Sequence, residues 1–380
     1  MVSRRPDAVV VGAGIVGAAC ALALAREGLR VLVLEGGFAG GGATAAAMGH
    51  LVVMDDSEAQ FALTAWSLRL WTELAGELPA DCEDDPCGTL WLAASEAEMD
   101  RVRAKAAYYL ARGVAAEVLD AAQLAAAEPR LRRGLAGALR VPGDRVIYPP
   151  NAVRFLLARA ADHGAELWER FFVSRVGGGV VEGHGERIAA ALVVNAAGAA
   201  APALTPGLPI VPRKGHLVIT DRYPGFCRHQ LVELGYLDSA HAPRQGAAAA
   251  AVAFNVQPRA TGQVLIGSSR ELVGWDASRN RGLERRMIGR AVGFLPPLAG
   301  VAALRGWIGF RPATPDNLPL IGPWPETSGL WIAGGHEGLG ITASLATARL
   351  LADLIAGRRS EIDAAPFAPA RLLPGSPVAR

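Results

Sequence analysis

Three glycines near the start of the chain have a spacing that suits phosphate binding. Gly12, Gly14 and Gly17 follow the β-branched run 9–11 and precede an alanine-rich stretch. In a strand, turn and helix, Gly12 permits the sharp turn, Gly14 lets the backbone approach a pyrophosphate, and Gly17 lets the helix pack on the strand. Amides at the start of such a helix bind phosphate oxygens. The residues assigned to this contact are Gly12, Gly14, Ile15, Val16 and Gly17.

An acidic residue follows the next apolar run. Residues 31–34 are Val-Leu-Val-Leu, which is typical of a buried parallel strand, and Glu35 comes directly after them. A carboxylate about twenty residues beyond the glycines can accept hydrogen bonds from ribose hydroxyls and repel a 2′-phosphate. The order of strand, glycine turn, helix, strand and acid predicts dinucleotide binding. It leaves NAD and FAD both open.

The same N-terminal stretch has a second interpretation. Residues 8–25 are apolar or glycine over about the length of a membrane span, and Arg4 and Arg5 precede them as in a secretion signal. Glycines would weaken a continuous membrane helix, whereas a strand followed by a tight turn needs them. We therefore expect no integral membrane span.

The composition excludes several other classes of protein. The 380 residues are 51% hydrophobic with a formal net charge of +2, and no basic stripe suited to nucleic acid stands out. Four cysteines do not make a disulfide framework, and Cys82 and Cys87 have no nearby histidine to complete a zinc site. We expect no metal, no nucleic acid and a reduced, cytoplasmic setting.

Small-residue turns also follow two later apolar runs. Residues 191–194 lead into Asn-Ala-Ala-Gly at 195–198, and residues 330–333 lead into a glycine-rich turn before the helical stretch 343–355. Between 210 and 307, short alternating segments separated by glycine and proline predict an antiparallel sheet. The pattern predicts a nucleotide domain formed by 1–80, 148–210 and 308–360, a substrate domain formed by 81–147 and 211–307, and a poorly ordered tail at 361–380.

Five motifs in this order resemble one family. They are residues 10–17, the small-residue run 43–51, the turn 193–198, the Gly-Phe-Arg-Pro-Ala-Thr-Pro-Asp run 309–316 and the turn 334–342. As a set they resemble the D-amino-acid oxidase-like family of FAD-dependent amine oxidoreductases, which includes glycine oxidase, sarcosine oxidase and D-amino-acid dehydrogenases. The resemblance implies an α/β fold: a Rossmann-like FAD-binding domain of the GR2 type with an inserted α+β substrate domain built on an antiparallel sheet.

Shorter stretches narrow the resemblance. Residues 48–57, 146–150, 254–259 and 267–270 look most like the FAD-bearing β subunit of D-hydroxyproline dehydrogenase. Glycine oxidases place a tyrosine near Asn255 and an arginine near Gly338, and both are missing here, so the resemblance does not extend to glycine as the substrate. Sarcosine oxidase tethers its flavin through a cysteine close to Gly309. No cysteine is present there, which implies non-covalent FAD.

The resemblance also implies which residues surround the FAD. The last glycine-rich turn would bring a helix N-terminus to the N1–C2 edge of the flavin, where the helix dipole stabilises negative charge by about 0.3–2 kcal/mol. The implied cofactor contacts are Gly12, Gly14, Ile15, Val16, Gly17, Glu35, Gly42, Ala43, Thr44, Ala47, Met48, Gly49, His50, Leu51, Val173, Ala197, Gly198, Arg311, His336, Glu337, Gly338, Leu339, Gly340, Ile341 and Thr342.

Arg311 is the leading candidate for binding the substrate's carboxylate, because a guanidinium offers two parallel hydrogen bonds. The alternative is a structural pair between Arg311 and Asp316 or another acid. His50 would lie beside the flavin, where a histidine can favour the neutral amine, or it serves only as a satisfied hydrogen-bonding residue. His336 is expected to order its own loop. Weaker candidates for substrate binding are His216, Asn255 and Gln257.

The resemblance and these residues together predict oxidation of a small amino acid, with hydride transfer from the Cα–H bond to flavin N5 to give an imine. A cyclic secondary D-amino acid such as cis-4-hydroxy-D-proline is the preferred substrate. Three alternatives stay open. The chain could be an FAD-carrying subunit of a hetero-oligomeric amine dehydrogenase that is inactive alone, a glycine or sarcosine oxidase-like enzyme, or a nicotinamide-linked dehydrogenase.

Overall fold

The computed structural model describes residues 5–235 and 250–373. In these ranges the strands are β1 (Ala8–Val11), β2 (Val31–Leu34), β3 (His50–Leu51), β4 (Thr89–Ala93), β5 (Glu117–Asp120), β6 (Gly137–Val141), β7 (Arg145–Val146), β8 (Glu166–Trp168), β9 (Val173–Gly177), β10 (Val180–Gly183), β11 (Glu186–Ala189), β12 (Leu192–Asn195), β13 (Val211–Thr220), β14 (Gln230–Glu233), β15 (Ala251–Pro258), β16 (Val264–Arg270), β17 (Ala303–Ala313), β18 (Leu320–Pro323) and β19 (Leu330–Gly334). The helices are α1 (Ile15–Arg26), α2 (Gly42–Ala45), α3 (Glu58–Leu74), α4 (Glu96–Leu110), α5 (Ala121–Ala127), α6 (Pro149–Asp162), α7 (Ala201–Leu204), α8 (Arg281–Phe294) and α9 (Gly340–Ile355).

Six strands form the sheet that carries the glycine-rich turn. Their order is β18-β19-β12-β1-β2-β8, and all neighbours are parallel except the antiparallel pair β18 and β19. Alternate side chains pack on opposite faces. Val10 and Val33 share an apolar cluster with α1 and α9, while Val9 and Leu32 pack with residues of the three-stranded sheet β11-β10-β9. The strand, turn and helix predicted for the N-terminal stretch are confirmed.

Eight strands form the second sheet in the order β17-β13-β16-β15-β14-β4-β6-β5. Neighbours are antiparallel except β14 and β4, which are parallel, so this inserted sheet is mixed and not purely antiparallel. On one face Leu231 and Phe254 pack with Met287 and Phe294 of α8. The alternate residues, such as Val232, belong to the cluster of the first sheet. The predicted α/β fold with an inserted sheet domain is therefore present.

Strand β17 crosses one predicted domain boundary. It pairs with β13 along its whole length, from Ala313 opposite Val211 to Ala303 opposite Thr220. The boundary predicted between 307 and 308 falls inside this strand, so residues 308–313 lie in the eight-stranded sheet. Because β17 is an edge strand with mostly half-buried side chains, its sequence shows no clear apolar alternation. The rest of the domain division stays a prediction.

The C-terminal segment was predicted to be poorly ordered, and this is wrong for residues 361–373. Phe367 is buried in the first sheet's cluster, and Arg371 is buried and donates two hydrogen bonds to the carboxylate of Asp316, at 2.7 and 3.1 Å. These contacts fix the segment on the loop before β18. Residues 374–380 lie outside the described part of the chain.

In the described ranges no helix is both long and apolar enough to cross a bilayer. Cys20, Cys82, Cys87 and Cys227 are all unpaired thiols. Among the same residues no group of three or more histidine, cysteine, aspartate or glutamate side chains is arranged to hold a metal ion.

Candidate active site

The glycine-rich turn has the geometry that its spacing predicts. Gly12 has φ +104°, in the left-handed region that favours glycine. A Cβ at Gly17 would clash with the carbonyl oxygen of Gly12, so α1 reaches this close to the turn only because residue 17 is glycine. A Cβ at Gly12 would lie 2.6 Å from the carbonyl oxygen of Ala196. The turn after β12, which contains Ala197 and Gly198, therefore lies directly against the first turn.

The start of α1 is open to an anion. Gly14 is its N-cap and has no side chain of its own, and no acidic residue stands in its first turn. The Ile15 amide donates to Thr44 Oγ1 at 3.1 Å, which fixes the small-residue run beside the turn. The carboxylate of Glu35 accepts one hydrogen bond from the Ala13 amide and one from the Gly37 amide, each at 2.8 Å. A carboxylate has about four lone-pair positions, so Glu35 keeps acceptor capacity for hydroxyl groups.

The small-residue run 42–51 passes between the two sheets. Trp307 Nε1 donates to the carbonyl of Ala46 at 3.2 Å, and Gln257 Nε2 donates to the carbonyl of Met48 at 2.7 Å. At its end, Thr342 Oγ1 donates to the carbonyl of His50 at 2.9 Å and accepts from the Val52 amide at 3.2 Å. The run is thus tied to the second sheet and to the first turn of α9. The predicted contacts in it are Gly42, Ala43, Thr44, Ala47, Met48, Gly49, His50 and Leu51.

The second helix start, at α9, is also open. Leu339 is its N-cap, no side chain caps it, and its first turn has no acidic residue. His336 is buried, and its Nε2 lies 2.9 Å from Thr347 Oγ1, one of the interactions that order the turn before the helix. Burial lowers the pKa of His336 to about 4, so the ring is neutral at neutral pH. His336 also lines the cavity described below, so the expectation that it orders its own loop stays a prediction.

A cavity with about 700 Å³ of empty space, part of it open to solvent, lies where α9, the run 42–51 and the second sheet meet. Its walls combine charged, neutral polar and apolar side chains. They include Arg213, Arg270 and Glu337; His50, Thr89, Trp91, Gln230 and Asn255; Val52, Met54 and Val232; and Gly338 and Leu339 of the turn before α9.

A carboxylate among arginines marks one end of this cavity. Glu337 Oε1 lies 3.2 Å from Arg270 Nε and 3.6 Å from Arg213 Nη1. Burial raises the pKa of Glu337, but the guanidiniums of Arg270, Arg311 and Arg213 outweigh it and hold the pKa at about 2. Glu337 is therefore ionised, and this end of the site is a cationic cluster with one internal counter-charge.

Arg311 belongs to the same cluster. Its Nη1 donates to the carbonyl of Ser269 at 3.0 Å, and a Cβ at Gly338 would lie 3.9 Å from its Nε. Asp316, one acid considered as a structural partner of Arg311, pairs with Arg371. The other form of that alternative, a pair with a different acid, stays open, because the Arg311 guanidinium helps to lower the pKa of Glu337. Arg311 thus lies beside the turn that starts α9, although it is not among the side chains that line the cavity.

His50 presents an unused nitrogen. Its Nε2 is buried without a hydrogen-bond partner, and burial lowers the pKa of the ring to about 4. At neutral pH His50 is uncharged and can accept or donate one hydrogen bond in the cavity.

The three weaker substrate candidates differ in position. Asn255 lines the cavity with its Oδ1 unpartnered, whereas Gln257 is buried behind it and is used to hold Met48. His216 is fully buried, with Nδ1 3.0 Å from Ser269 Oγ and Nε2 accepting from the Asn280 amide at 3.0 Å. His216 therefore supports the start of α8, and the structure does not place it where it was expected.

Sequence reasoning missed Arg213, Arg270, Trp91 and Gln230 as cavity residues. Arg270 stands at the end of a stretch that carried the family resemblance, and the alternation of Thr89 and Trp91 with leucines marks one polar face of a strand. Arg213 and Gln230 carry no local signal, because only pairing of distant strands brings them to the cavity.

Valines 173 and 193 share a buried cluster on the far face of the first sheet. Val173 lies in β9, so it reaches the nucleotide region from the three-stranded sheet. This placement is compatible with an apolar contact to a bound nucleotide and remains a prediction.

A buried parallel sheet with an open helix start, and a second sheet that closes a cavity over it, define a dinucleotide-dependent enzyme. The chain belongs to the DAO family of FAD-dependent oxidoreductases, whose family model matches residues 7–354. It is 30% identical to glycine oxidase from Geobacillus kaustophilus over 96% of this chain and 97% of that protein. The crystal structure of that glycine oxidase matches with a TM-score of 0.85 over 98% of this chain and all of the other.

Two further relatives differ in name. A D-amino acid dehydrogenase from Methylobacterium nodulans is 33% identical over 79% of this chain and 70% of that protein. A subunit of hydrogen cyanide synthase from Pseudomonas aeruginosa is 28% identical over 98% of this chain and 97% of that protein.

FAD is the cofactor, and the residues present fit it. Two helix starts without caps or acidic residues suit the pyrophosphate and an electron-rich ring edge. The buried Nε2 of His50 has no hydrogen-bond partner at the cavity, where a flat polar ring would give it one. Glu35 keeps acceptor capacity for a ribose. When bound, FAD supplies a two-electron acceptor for a hydride.

Proposed function

We propose that the protein oxidises a small amino acid at its CH–NH bond and prefers a cyclic secondary D-amino acid such as cis-4-hydroxy-D-proline. The hydrogen of the Cα–H bond is transferred as a hydride to the FAD, and the nitrogen loses a proton, so the amine becomes an imine. The observation that carries this proposal is the cationic cluster of Arg213, Arg270 and Arg311 around Glu337, beside a cavity that is also lined by neutral polar side chains.

The cationic cluster would hold the substrate's carboxylate. A guanidinium gives a carboxylate two parallel hydrogen bonds and so fixes its orientation as well as its position. Arg311 is the proposed anchor, because it lies beside Gly338 at the start of α9, where the resemblance puts the reactive end of the cofactor. The ionised Glu337 offsets part of the positive charge of the cluster. The substrate therefore needs only one carboxylate to bind there.

His50 would face the substrate nitrogen. Because burial holds its pKa at about 4, the ring carries no charge that would repel the substrate nitrogen. Hydride loss from carbon requires a neutral amine, so the proton must leave to solvent before or during the step. The proposal needs no strong base at this position.

Anaerobic reduction of the bound flavin by a panel of D-amino acids, L-amino acids and N-methyl amines tests this function. We expect bleaching by secondary D-amino acids, and weaker bleaching by amines without a carboxylate. In Arg311→Lys the advantage of carboxylate-bearing substrates should fall by about tenfold or more, because a charged hydrogen bond contributes about 1.5–3 kcal/mol.

Arg305→Lys is the matched control, since Arg305 lies on the same strand and is exposed. Its substrate preference should equal that of the wild type. An unchanged carboxylate preference in Arg311→Lys would show that Arg311 is not the anchor. Failure of every amino acid to bleach the flavin would contradict the proposed function.

The cofactor contacts predicted from the sequence are part of the proposal, and FAD would be held without a covalent bond. None of the four cysteines lines the cavity, which supports this. Acid precipitation should therefore release all of the yellow colour into the supernatant. Four unpaired thiols also favour a reducing, cytoplasmic setting.

A second candidate is an FAD-carrying subunit that turns over only in a complex. Leu272, Val273 and Trp275 are 53, 43 and 58% exposed, and the Trp275 ring lies 5.0 Å from that of Phe310, next to Arg311. Exposed apolar groups of this kind often mark protein contacts. A chain whose flavin is reduced by substrate but is not reoxidised at a useful rate alone would favour this candidate.

A further inference from the structure

Six consecutive strands of the second sheet each bring at least one polar side chain to the active-site region. In the order β17, β13, β16, β15, β14 and β4, the side chains are Arg311, Arg213, Arg270, Asn255, Gln230 and Trp91. The first three are cationic and the last three are neutral. The sheet order therefore divides this surface into a carboxylate-binding half and a neutral half.

The neutral half has unused hydrogen-bonding atoms. Trp91 Nε1, Gln230 Oε1 and Asn255 Oδ1 are all buried and have no partner, and all three residues line the cavity. Trp91, Gln230 and Asn255 are 2, 0 and 4% exposed. The Gln230 amide is oriented by a 3.0 Å hydrogen bond from its Nε2 to the carbonyl of Arg145, so its oxygen is left for the cavity. Buried polar atoms without partners are costly, which indicates a ligand or water that meets them.

Strand pairing sets the spacing of these atoms. Val232 of β14 is opposite Trp91 on one side and Asn255 on the other, and Gln230 lies two residues away on the same face. On the neighbouring strand, Arg270 stands three residues beyond Gly267, which is the residue opposite Asn255, and Arg270 and Asn255 line the same cavity.

We infer that Trp91, Gln230 and Asn255 recognise a hydroxyl group on the substrate's side chain or ring. This rests on the proposed function and names its substrate class as hydroxylated amino acids. A hydroxyl can accept from the Trp91 N–H and donate to the oxygen of Gln230 or Asn255.

Other substituents do not match this set. A carboxylate would face two carbonyl oxygens and Asp56, which also lines the cavity, and an ammonium group would face the indole N–H. A hydrocarbon side chain would leave three buried polar atoms unmet, and sites built to bind a hydroxyl reject the analogue that lacks it. A hydroxyl is the smallest neutral group that both donates and accepts.

Stopped-flow reduction of the holoenzyme under anaerobic conditions tests the inference with two substrate pairs, D-proline against cis-4-hydroxy-D-proline and D-alanine against D-serine. We expect the ratio of reduction rate to dissociation constant to be about 100-fold higher for the hydroxylated member. In Trp91→Phe, which keeps an aromatic ring and removes the donor, this advantage should fall at least tenfold. Trp324→Phe removes a buried tryptophan outside the cavity and should keep the wild-type ratio.

Equilibrium binding provides a readout that needs no turnover. Titration calorimetry of the wild-type holoenzyme should show 3-hydroxybenzoate binding about tenfold more tightly than benzoate. Trp91→Phe should bind the two acids equally tightly. Amino acids that reduce the flavin without any hydroxyl preference would overturn this inference and leave the proposed function intact. If no amino acid reduces the flavin, both proposals fail.

Discussion

Arg311 and Gly215 face each other across β17 and β13, and the guanidinium lies over the space where a side chain at position 215 would begin. A Cβ there would clash with Nη1 and would lie 2.7 Å from Cζ. Gly215 is opposite Gly309, two residues from Arg311 in the register of the two strands. The absence of a side chain at 215 thus sets where the proposed carboxylate anchor lies.

Gly215→Ala should therefore move the anchor without unfolding the sheet. The clashing atoms belong to the end of a long side chain, which can swing away at little cost, and alanine is acceptable in a strand. We expect KM for carboxylate substrates to rise about tenfold or more, because a charge-assisted hydrogen bond to the substrate is lost. The melting temperature should change little. Steady-state kinetics and thermal unfolding measure the two effects.

Gly289→Ala is the control for adding a methyl group, because a Cβ at Gly289 meets nothing within 4 Å. It should leave KM unchanged. If Gly215→Ala also left KM unchanged, Arg311 would not be the anchor in this position.

Glu337→Gln should weaken the fold and strengthen anion binding. It removes the counter-charge that lies 3.2 Å from Arg270 and 3.6 Å from Arg213, so unfolding free energy should fall by about 1.5–3 kcal/mol. The remaining guanidiniums would then bind benzoate more tightly, which titration calorimetry detects. Glu326→Gln, at an exposed position, should change neither quantity.

The stabilisation by Glu337 has a defined pH dependence. Its pKa is depressed to about 2 in the folded chain against an ordinary value of 4.5, so the stabilisation is present above pH 4.5 and is lost as the pH falls toward 2. The difference in stability between wild type and Glu337→Gln should shrink over that range. A difference that stayed constant from neutral to strongly acidic pH would contradict the ion-pair assignment.

Local sequence signals predicted much of the fold. Gly12, Gly17 and the β-branched residues before them act within one turn, so the strand, turn and helix could be predicted without tertiary information. Helix α5 begins at a capping box formed by Asp120 and Gln123, a signal that is also local. The mixed character of the second sheet could not be predicted, because the parallel pairing of β14 with β4 joins segments far apart in the chain.

The site was predicted only in part for the same reason. Arg311 was recognisable because it stands within a motif, and the structure brings it to the turn that starts α9. Gln230 comes to the cavity through the β4–β14 pair, and nothing in its neighbourhood marks it. His216 looked available as a polar residue in a strand, but the start of α8 covers it and uses its Nε2.

Asp144 should make the protein less stable as the pH rises. It is fully buried, and burial raises its pKa to about 7 from an ordinary 3.8, although the Val53 amide donates to its Oδ1 at 3.2 Å. A raised folded-state pKa means that the stabilisation is complete below 3.8 and is lost as the pH rises toward 7. Between about pH 5 and about pH 8 the loss should be on the order of 2–3 kcal/mol.

Asp144→Asn should remove this loss, because the amide keeps an acceptor for Val53 and does not ionise. Urea unfolding at the two pH values measures it. Asp7→Asn is the control: the pKa of Asp7 is lowered to about 2 by its hydrogen bonds with Arg30, so its charge is constant in this range. Equal pH slopes for wild type and Asp144→Asn would show that Asp144 is ionised in the folded protein.

Arg371→Ala should show that the C-terminal segment is part of the fold. Arg371 is buried, and it donates to both oxygens of Asp316 and, at 2.7 Å, to the carbonyl of Leu318. Its removal would leave a half-buried carboxylate without its cation, which should cost about 1.5–3 kcal/mol in urea unfolding at saturating FAD. Arg69→Ala breaks a comparable pair with Glu361 in which both side chains are half exposed, and should cost at most about 1 kcal/mol. Because both pairs attach the C-terminal segment to the rest of the fold and differ mainly in burial, equal losses would mean that the Arg371 pair contributes no more than a surface contact.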